Sequence, residues 1–298
     1  MTTTLVIDGS KVPGEASPTP PRKVTPGTAV MGAKLSFGGM LRSERIKLSS
    51  LRSVKATLLC TLVAGLGLGA LIAVLWNAEN DLAAASASDL NTYLLLSGTT
   101  AAPFLGLIFG VLGVLVMSSE YASGLIQSTL VAAPRRMPVF LAKAAVLAVG
   151  AALTALLIVG GSMGVATLIF PGAAAQFMTP QIISAVLGTV GYLVLLALFA
   201  YGVATLTRNA AASIGIVAGV TFVAPIALSI MSMTGWDWVY TVMDYLPMTL
   251  GNTLAQGILP ADQMGSGLDY WGALCAIAVW AIVTVVPGAI LFTKRDAR

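Results

Sequence analysis

The stretch IISAVLGTVGYLVLLALFAYGVATLTRNAAASIGIVAGVTFVAPIALSIMSM, Ile182 to Met233, decides how many times this chain crosses a membrane. It is apolar almost throughout, and a coarse window merges it into one span far longer than the roughly 20 residues that cross about 30 Å of hydrocarbon as helix. The polar break Thr207, Arg208, Asn209 divides it into two runs of the right length, Ile182 to Leu206 and Ala210 to Met233. Four more runs qualify: Ala56 to Trp76, Thr100 to Met117, Ala144 to Phe170, and Trp271 to Phe292. The expected fold class is therefore all-α, a polytopic membrane protein with six transmembrane helices.

Charge settles the division. With six spans and both termini on one side, the segments on that side hold all 16 Lys and Arg residues. The opposite segments hold Glu79, Asp81, Asp89, Asp237, Asp244, Asp262 and Asp269, seven of the 12 acids, with no Lys or Arg among them. Basic residues stay on the cytoplasmic side of a bilayer, so the termini are expected in the cytoplasm of a multi-pass inner-membrane or plasma-membrane protein. Merging the fourth and fifth spans would put Lys294, Arg295 and Arg298 outside, against every other loop.

The composition agrees. The chain has 298 residues, 57% hydrophobic and 9% charged, against about 25% charged in soluble proteins. The net charge of +4 lies beside the spans, which argues against a nucleic-acid surface. Cys60 and Cys275 each sit inside an apolar run and read as buried small hydrophobes. Trp76, Trp236, Trp238, Tyr240, Tyr270 and Trp271 fall near expected interfaces, where amphipathic rings anchor. Gly106 and Gly110, Gly160 and Gly164, and Gly215 and Gly219 repeat at the spacing that lets helix backbones approach.

Several chemistries are disfavoured. The six runs contain no Asp, Glu, Lys, Arg or His, the usual markers of proton relays and ion-coupled sites. There is no histidine, no acidic pair in an apolar setting, and no Cys or Ser with a base beside it, so no catalytic residue is assigned. Nothing calls for a metal or cofactor in this chain. The nearest approach to a phosphate-binding loop, GTAVMGAKLS at Gly27 to Ser36, has one residue too many before its lysine, and no buried strand leads into it.

Residues 1–33, rich in Thr, Pro, Gly and Ser, read as a disordered tail. Residues 34–55 read as an amphipathic helix on the membrane surface, with Phe37, Leu41, Leu48 and Leu51 near one face and Arg42, Arg45, Lys47 and Arg52 to either side. Glu44 and Lys55 break the pattern by falling on the apolar side. Between the second and third spans, Ser118 to Lys143 is longer than a turn between antiparallel helices requires. Leu125, Thr129 and Ala132 mark a short helix there, ended by Pro134 before Arg135 and Arg136.

In this loop the sequence resembles the permease subunits of ABC-2 type transporters, through Glu120 and Tyr121, Gly124, Leu130, Pro134 with Arg135 and Arg136, and Lys143 entering the next helix. SERIKLSSLRSVKATLL (Ser43 to Leu59), YLPMTLGNTL (Tyr245 to Leu254) and LFTKRDAR (Leu291 to Arg298) are similar to actinobacterial-style members. The resemblance runs from about Ser43 to the end. It implies that residues 56–298 form an ABC-2 type transmembrane domain, the membrane-spanning part of an ATP-binding-cassette exporter. The implied partners are a cytoplasmic ABC ATPase subunit, which holds the ATP and Mg, and a second permease subunit, in a homodimer or heterodimer, besides membrane lipids. It also implies that Glu120, Gly124, Pro134 and Arg136 receive the ATPase's motion, and that Asp237 to Asp269 forms short re-entrant helices on the outer side. The residues themselves leave open an ion-coupled secondary transporter or a membrane anchor that recruits a cytoplasmic protein. They do not name the substrate.

Overall fold

The computed structural model describes residues 36–50, 52–80, 82, 85–124, 136–259 and 267–294. The tail of residues 1–33, the helix expected on Leu125, Thr129 and Ala132 with Pro134 and Arg135, Pro260, and the basic residues after Lys294 lie outside them. The described residues form helices and turns, with no strand among them. Among the described residues six helical paths are long and apolar enough to cross a membrane, which makes the chain an all-α, multi-pass membrane protein.

A short helix α1 (Phe37–Ser50) precedes the first span, α2 (Arg52–Glu79). The second span is a pair, α3 (Ala87–Thr99) and α4 (Ala102–Ser123), and the third is α5 (Arg136–Ile169). The fourth is α6 (Pro180–Thr207). The fifth joins α7 (Ala210–Ala218) and α8 (Ala224–Met231), and the sixth is α11 (Tyr270–Lys294), after short helices α9 (Asp237–Asp244) and α10 (Pro247–Gln256).

The division of the long apolar stretch holds at Arg208, and local chemistry explains why. Arg208 adopts a left-handed conformation (φ 55°) that ends α6, its N–H bonded to the Ala204 carbonyl. Asn209 then caps α7, its Oδ1 accepting from the Ala212 N–H at 3.0 Å. Thr207 and Ser213 hydroxyls meet at 2.6 Å across the turn. Three residues thus cap two helix ends and reverse the chain.

The second span begins earlier than hydropathy alone indicates. Ser86 and Asp89 form a capping box that starts α3, and Pro103, in the first turn of α4, resets the helix after Thr99. The fifth span contains a wide turn at Gly219–Val223, where the Ala224 N–H donates to the Gly219 carbonyl five residues back. Pro225 follows directly; the wide register accommodates a ring that lacks an N–H and would otherwise strike the preceding turn.

α6 is the central helix, in contact with α3, α4, α5, α7, α10 and α11. Its Gly202 lies against Thr284 of α11, whose Oγ1 donates to the Phe199 carbonyl at 3.1 Å. Gly106 and Gly110 do mark close packing, against Tyr192 and Val217. Gly160, Gly164, Gly215 and Gly219 do not, since a Cβ on any of them would meet open space. The tight approaches lie elsewhere, as at Gly69, where a Cβ would come within 2.6 Å of the Ser97 carbonyl oxygen. Cys60 and Cys275 are exposed and unpaired on outward helix faces, which corrects the reading of them as buried.

Short helices do occupy the stretch from Asp237 onward. α10 buries Leu250 and Leu254 completely, and its Gly251 abuts the ring of Tyr192. Tyr192 is 12 residues beyond Pro180 (192 − 180), about 18 Å at 1.5 Å per residue, so α10 reaches well into the bundle.

Candidate functional site

The helices extend past the hydropathic runs, and those extensions carry charge. α4 runs on to Ser123 and brings Glu120; α5 starts at Arg136 and brings Lys143 in its second turn. The spans as drawn from hydropathy are free of ionisable residues, yet Glu120 and Lys143 are buried in the helices that form them. The amphipathic segment also differs from its expected 34–55 extent: α1 ends at Ser50, and Arg52 to Lys55 belong to the first span.

The one residue that α1 buries is Glu44, 3% exposed. Its Oε2 accepts from Lys143 Nζ at 2.5 Å, and the same ammonium donates to Glu120 Oε1 at 2.7 Å. Lys47, one turn beyond Glu44, donates to Glu44 Oε1 at 3.0 Å and to Glu120 Oε1 at 3.3 Å. Among the described residues, two lysines and two carboxylates thus form a charge-balanced set that ties α1, α4 and α5 together. This corrects the expectation that no acidic pair sits in an apolar setting.

Lys143 and both carboxylates have little access to water, and Lys47 covers them with a side chain 36% exposed. Burial alone would lower the affinity of Lys47 for its proton. The hydrogen bond to Glu44 and the charges of Glu120 and Glu44 outweigh it, so its pKa is raised and it stays charged. Such a set adds little net stability over an apolar core, because desolvation offsets attraction. Loss of a buried member, Glu44, Glu120 or Lys143, leaves an uncompensated buried charge, which is strongly unfavourable. The arrangement therefore fixes which parts meet more than it adds overall stability.

Neighbouring contacts frame the cluster. Arg208 lies over the ring of Tyr121, 5.5 Å from its centroid, joining the end of α4 to the α6–α7 turn. Tyr201 of α6 donates to the Phe140 carbonyl of α5 at 3.1 Å, and the Phe140 ring is 5.0 Å from that of Tyr201 and 5.6 Å from that of Phe292. This end of the bundle holds every Lys and Arg among the described residues; the other end holds Glu79, Asp89, Asp237, Asp244 and Asp269.

Of the four residues expected to couple to a partner, Glu120 is in the cluster. Gly124 ends α4 in a left-handed conformation (φ 69°), its N–H toward the Tyr121 carbonyl at 3.4 Å. Arg136 opens α5, and Pro134 lies outside the described residues. The sequence reading missed Glu44, Lys47 and Lys143 as members. The available signal was Glu44 itself, the acid that spoils the apolar face of α1, together with Lys143 at the head of an apolar run. Among the described residues, no three His, Cys, Asp or Glu side chains converge as a metal site.

The family model described as ABC-2 family transporter protein matches residues 40–227, a segment that contains the whole cluster. A search of curated proteins found no match.

Proposed function

This chain belongs to the ABC-2 transporter family, as a membrane-spanning permease subunit, and from that premise we propose that it is half of an exporter driven by a separate ATPase. Its termini and its basic end face the cytoplasm, where an ABC ATPase subunit with its ATP and Mg docks against α1 and the segment between α4 and α5. A second permease subunit, identical or not, completes the path. The gathering of the described Lys and Arg at one end supports this orientation.

The observation that carries the reading is the Glu44–Lys143–Glu120 link. It joins the helix before the first span to both helices flanking the loop expected to meet the ATPase. A push on either surface element is thus delivered to the start of α5 and the end of α4. Alternating access follows when ATP-driven closure of the partner repacks these helices and hydrolysis resets them. Glu120, Gly124, Pro134 and Arg136 are the proposed coupling residues, now with Glu44 and Lys143.

The test is purification of the tagged chain from its native membrane. Recovery of a nucleotide-hydrolysing subunit, with vanadate-sensitive ATPase activity in the complex, supports the proposal. A clean, inactive preparation from gently solubilised membrane contradicts it and turns attention to a membrane anchor. Buried Glu120 and Lys143 give the ion-coupled carrier one favouring observation. Proton-driven uptake or efflux by the chain alone, without nucleotide, would establish that alternative.

A further inference from the structure

Beside the ion cluster, at the same basic end, the protein has a cavity of about 730 Å³ between α1, the start of α2, the end of α4 and the first half of α5. Its interior is apolar, with Leu58, Leu112, Val116 and Leu147 among its walls. Three cations also line it: Arg42 and Arg45, one turn apart on α1, and Lys55 on α2. All three are exposed, and no carboxylate among the described residues pairs with them.

That combination narrows the occupant. The volume is within the roughly 300–1,000 Å³ of ordinary ligand sites, and a small free anion would leave the apolar walls uncovered. An uncharged lipid chain would satisfy the walls and leave three unpaired cations around its headgroup. The described residues of a second copy offer no counter-charge from this end, since the acids among them there are Glu44 and Glu120, already committed to the lysines. An anionic headgroup on an acyl chain meets both demands.

We propose that this cavity binds one anionic phospholipid from the leaflet at the basic end, its phosphate among Arg42, Arg45 and Lys55 and an acyl chain against Leu112, Val116 and Leu147. This is a defined site, distinct from adsorption of a basic helix onto a charged surface. The bound lipid fills the wedge between α1 and the bundle and sets the position of Glu44 next to it.

The experiment purifies the full chain from membranes containing phosphatidylglycerol and phosphatidylethanolamine and identifies retained lipid by native mass spectrometry. Wild type should retain phosphatidylglycerol preferentially. Each of Arg42→Gln, Arg45→Gln and Lys55→Gln should cut that preference roughly fivefold, as expected of a basic residue close to an anionic lipid. Gly150→Phe keeps every charge and fills the cavity from α5 at a position where a Cβ meets open space, so it should reduce retention of the lipid without disturbing the core. Arg52→Gln, outside the cavity lining, should leave the preference unchanged. Equal retention of the two lipids overturns the proposal in favour of an uncharged occupant. A preference that survives both the triple neutral variant and Gly150→Phe overturns the site. Absence of retained lipid, with a dimer that Gly150→Phe disrupts, assigns the cavity to a second copy.

Discussion

At the basic end, α1, α4 and α5 meet through two lysines sharing two carboxylates. At the acidic end, neighbouring helices are joined by neutral donors on backbone carbonyls. There Tyr93 donates to Ala166 at 2.8 Å, Tyr270 to Ser184 at 3.0 Å, and Trp280 to Tyr245 at 2.9 Å. Each neutral bond has a fixed partner and a net worth of about 1 kcal/mol, so losing one loosens a joint gradually. The charged set behaves differently. Glu120 Oε1 accepts from two lysines at once, so its partners can be redistributed, yet none of the three buried members can leave without stranding a buried charge. Neutral bonds hold the acidic end one by one, and the charged set holds the basic end as a unit, which is what the proposed coupling role requires.

The sharpest way to break that contrast is Lys143→Met. It leaves Glu44 and Glu120 facing each other with only Lys47 between them, and should cost roughly 3–5 kcal/mol, read as a lowered unfolding midpoint in detergent. The triple variant Glu44→Gln, Glu120→Gln, Lys143→Met removes the stranded charge and should recover most of that stability. Nucleotide-driven transport, the activity proposed for the complex with an ATPase, should stay low in both. Equal stability of the single and triple variants would show that Lys143 acts as packing and not as the centre of an ion set.

The matching change at the acidic end is Tyr270→Phe, which deletes one neutral bond while keeping the ring that lies edge-on to Trp271. Its expected cost is about 1 kcal/mol with no effect on coupling. Ser184 has a second role there: its Oγ accepts from the Ile258 N–H at 2.8 Å, just beyond Gly257, whose φ of 73° suits glycine. Ser184→Ala should therefore be as costly as Tyr270→Phe or slightly more, by the same unfolding measurement. A loss of several kcal/mol from either would erase the distinction between the two ends.

The same contrast explains what could be read from the sequence. Six spans, and the turn at Thr207 to Asn209, follow from one-dimensional quantities, apolar length and charge parity, and both survive in the structure. The pairing of Glu44 with Lys143, 99 residues away, has no such signature, because it depends on which face of α1 meets α5. Only the mismatch of an acid on an apolar face was visible, and it is the mismatch that marks the contact. The start of the second span was missed for a different reason: the Ser86 and Asp89 capping box is a local signal that a hydropathy window averages away. Two of the three glycine pairs misled because spacing shows where a backbone can approach, not whether a helix of the same chain is there. Gly160 and Gly164 face away from every neighbour, while Gly69 and Gly113, outside those pairs, carry close contacts.

Lys47 provides the finest test, because it is the member of the charged set most accessible to water. Its side chain is 36% exposed, so solvent screens its pairs, and the buried Lys143 still donates to both carboxylates when it is truncated; Lys47→Met should therefore cost less than Lys143→Met, about 1 kcal/mol. The pH dependence separates this small term from packing. The raised pKa of Lys47 in the fold means that its contribution is fully present below the ordinary lysine value of about 10.4 and fades only as pH rises through the higher folded value. The stability difference between wild type and Lys47→Met should therefore stay flat from pH 6 to about 9 and shrink in strongly alkaline buffer. A difference that persists unchanged through that alkaline range would mean that the side chain's methylenes, and not its ammonium, secure α1 to the bundle.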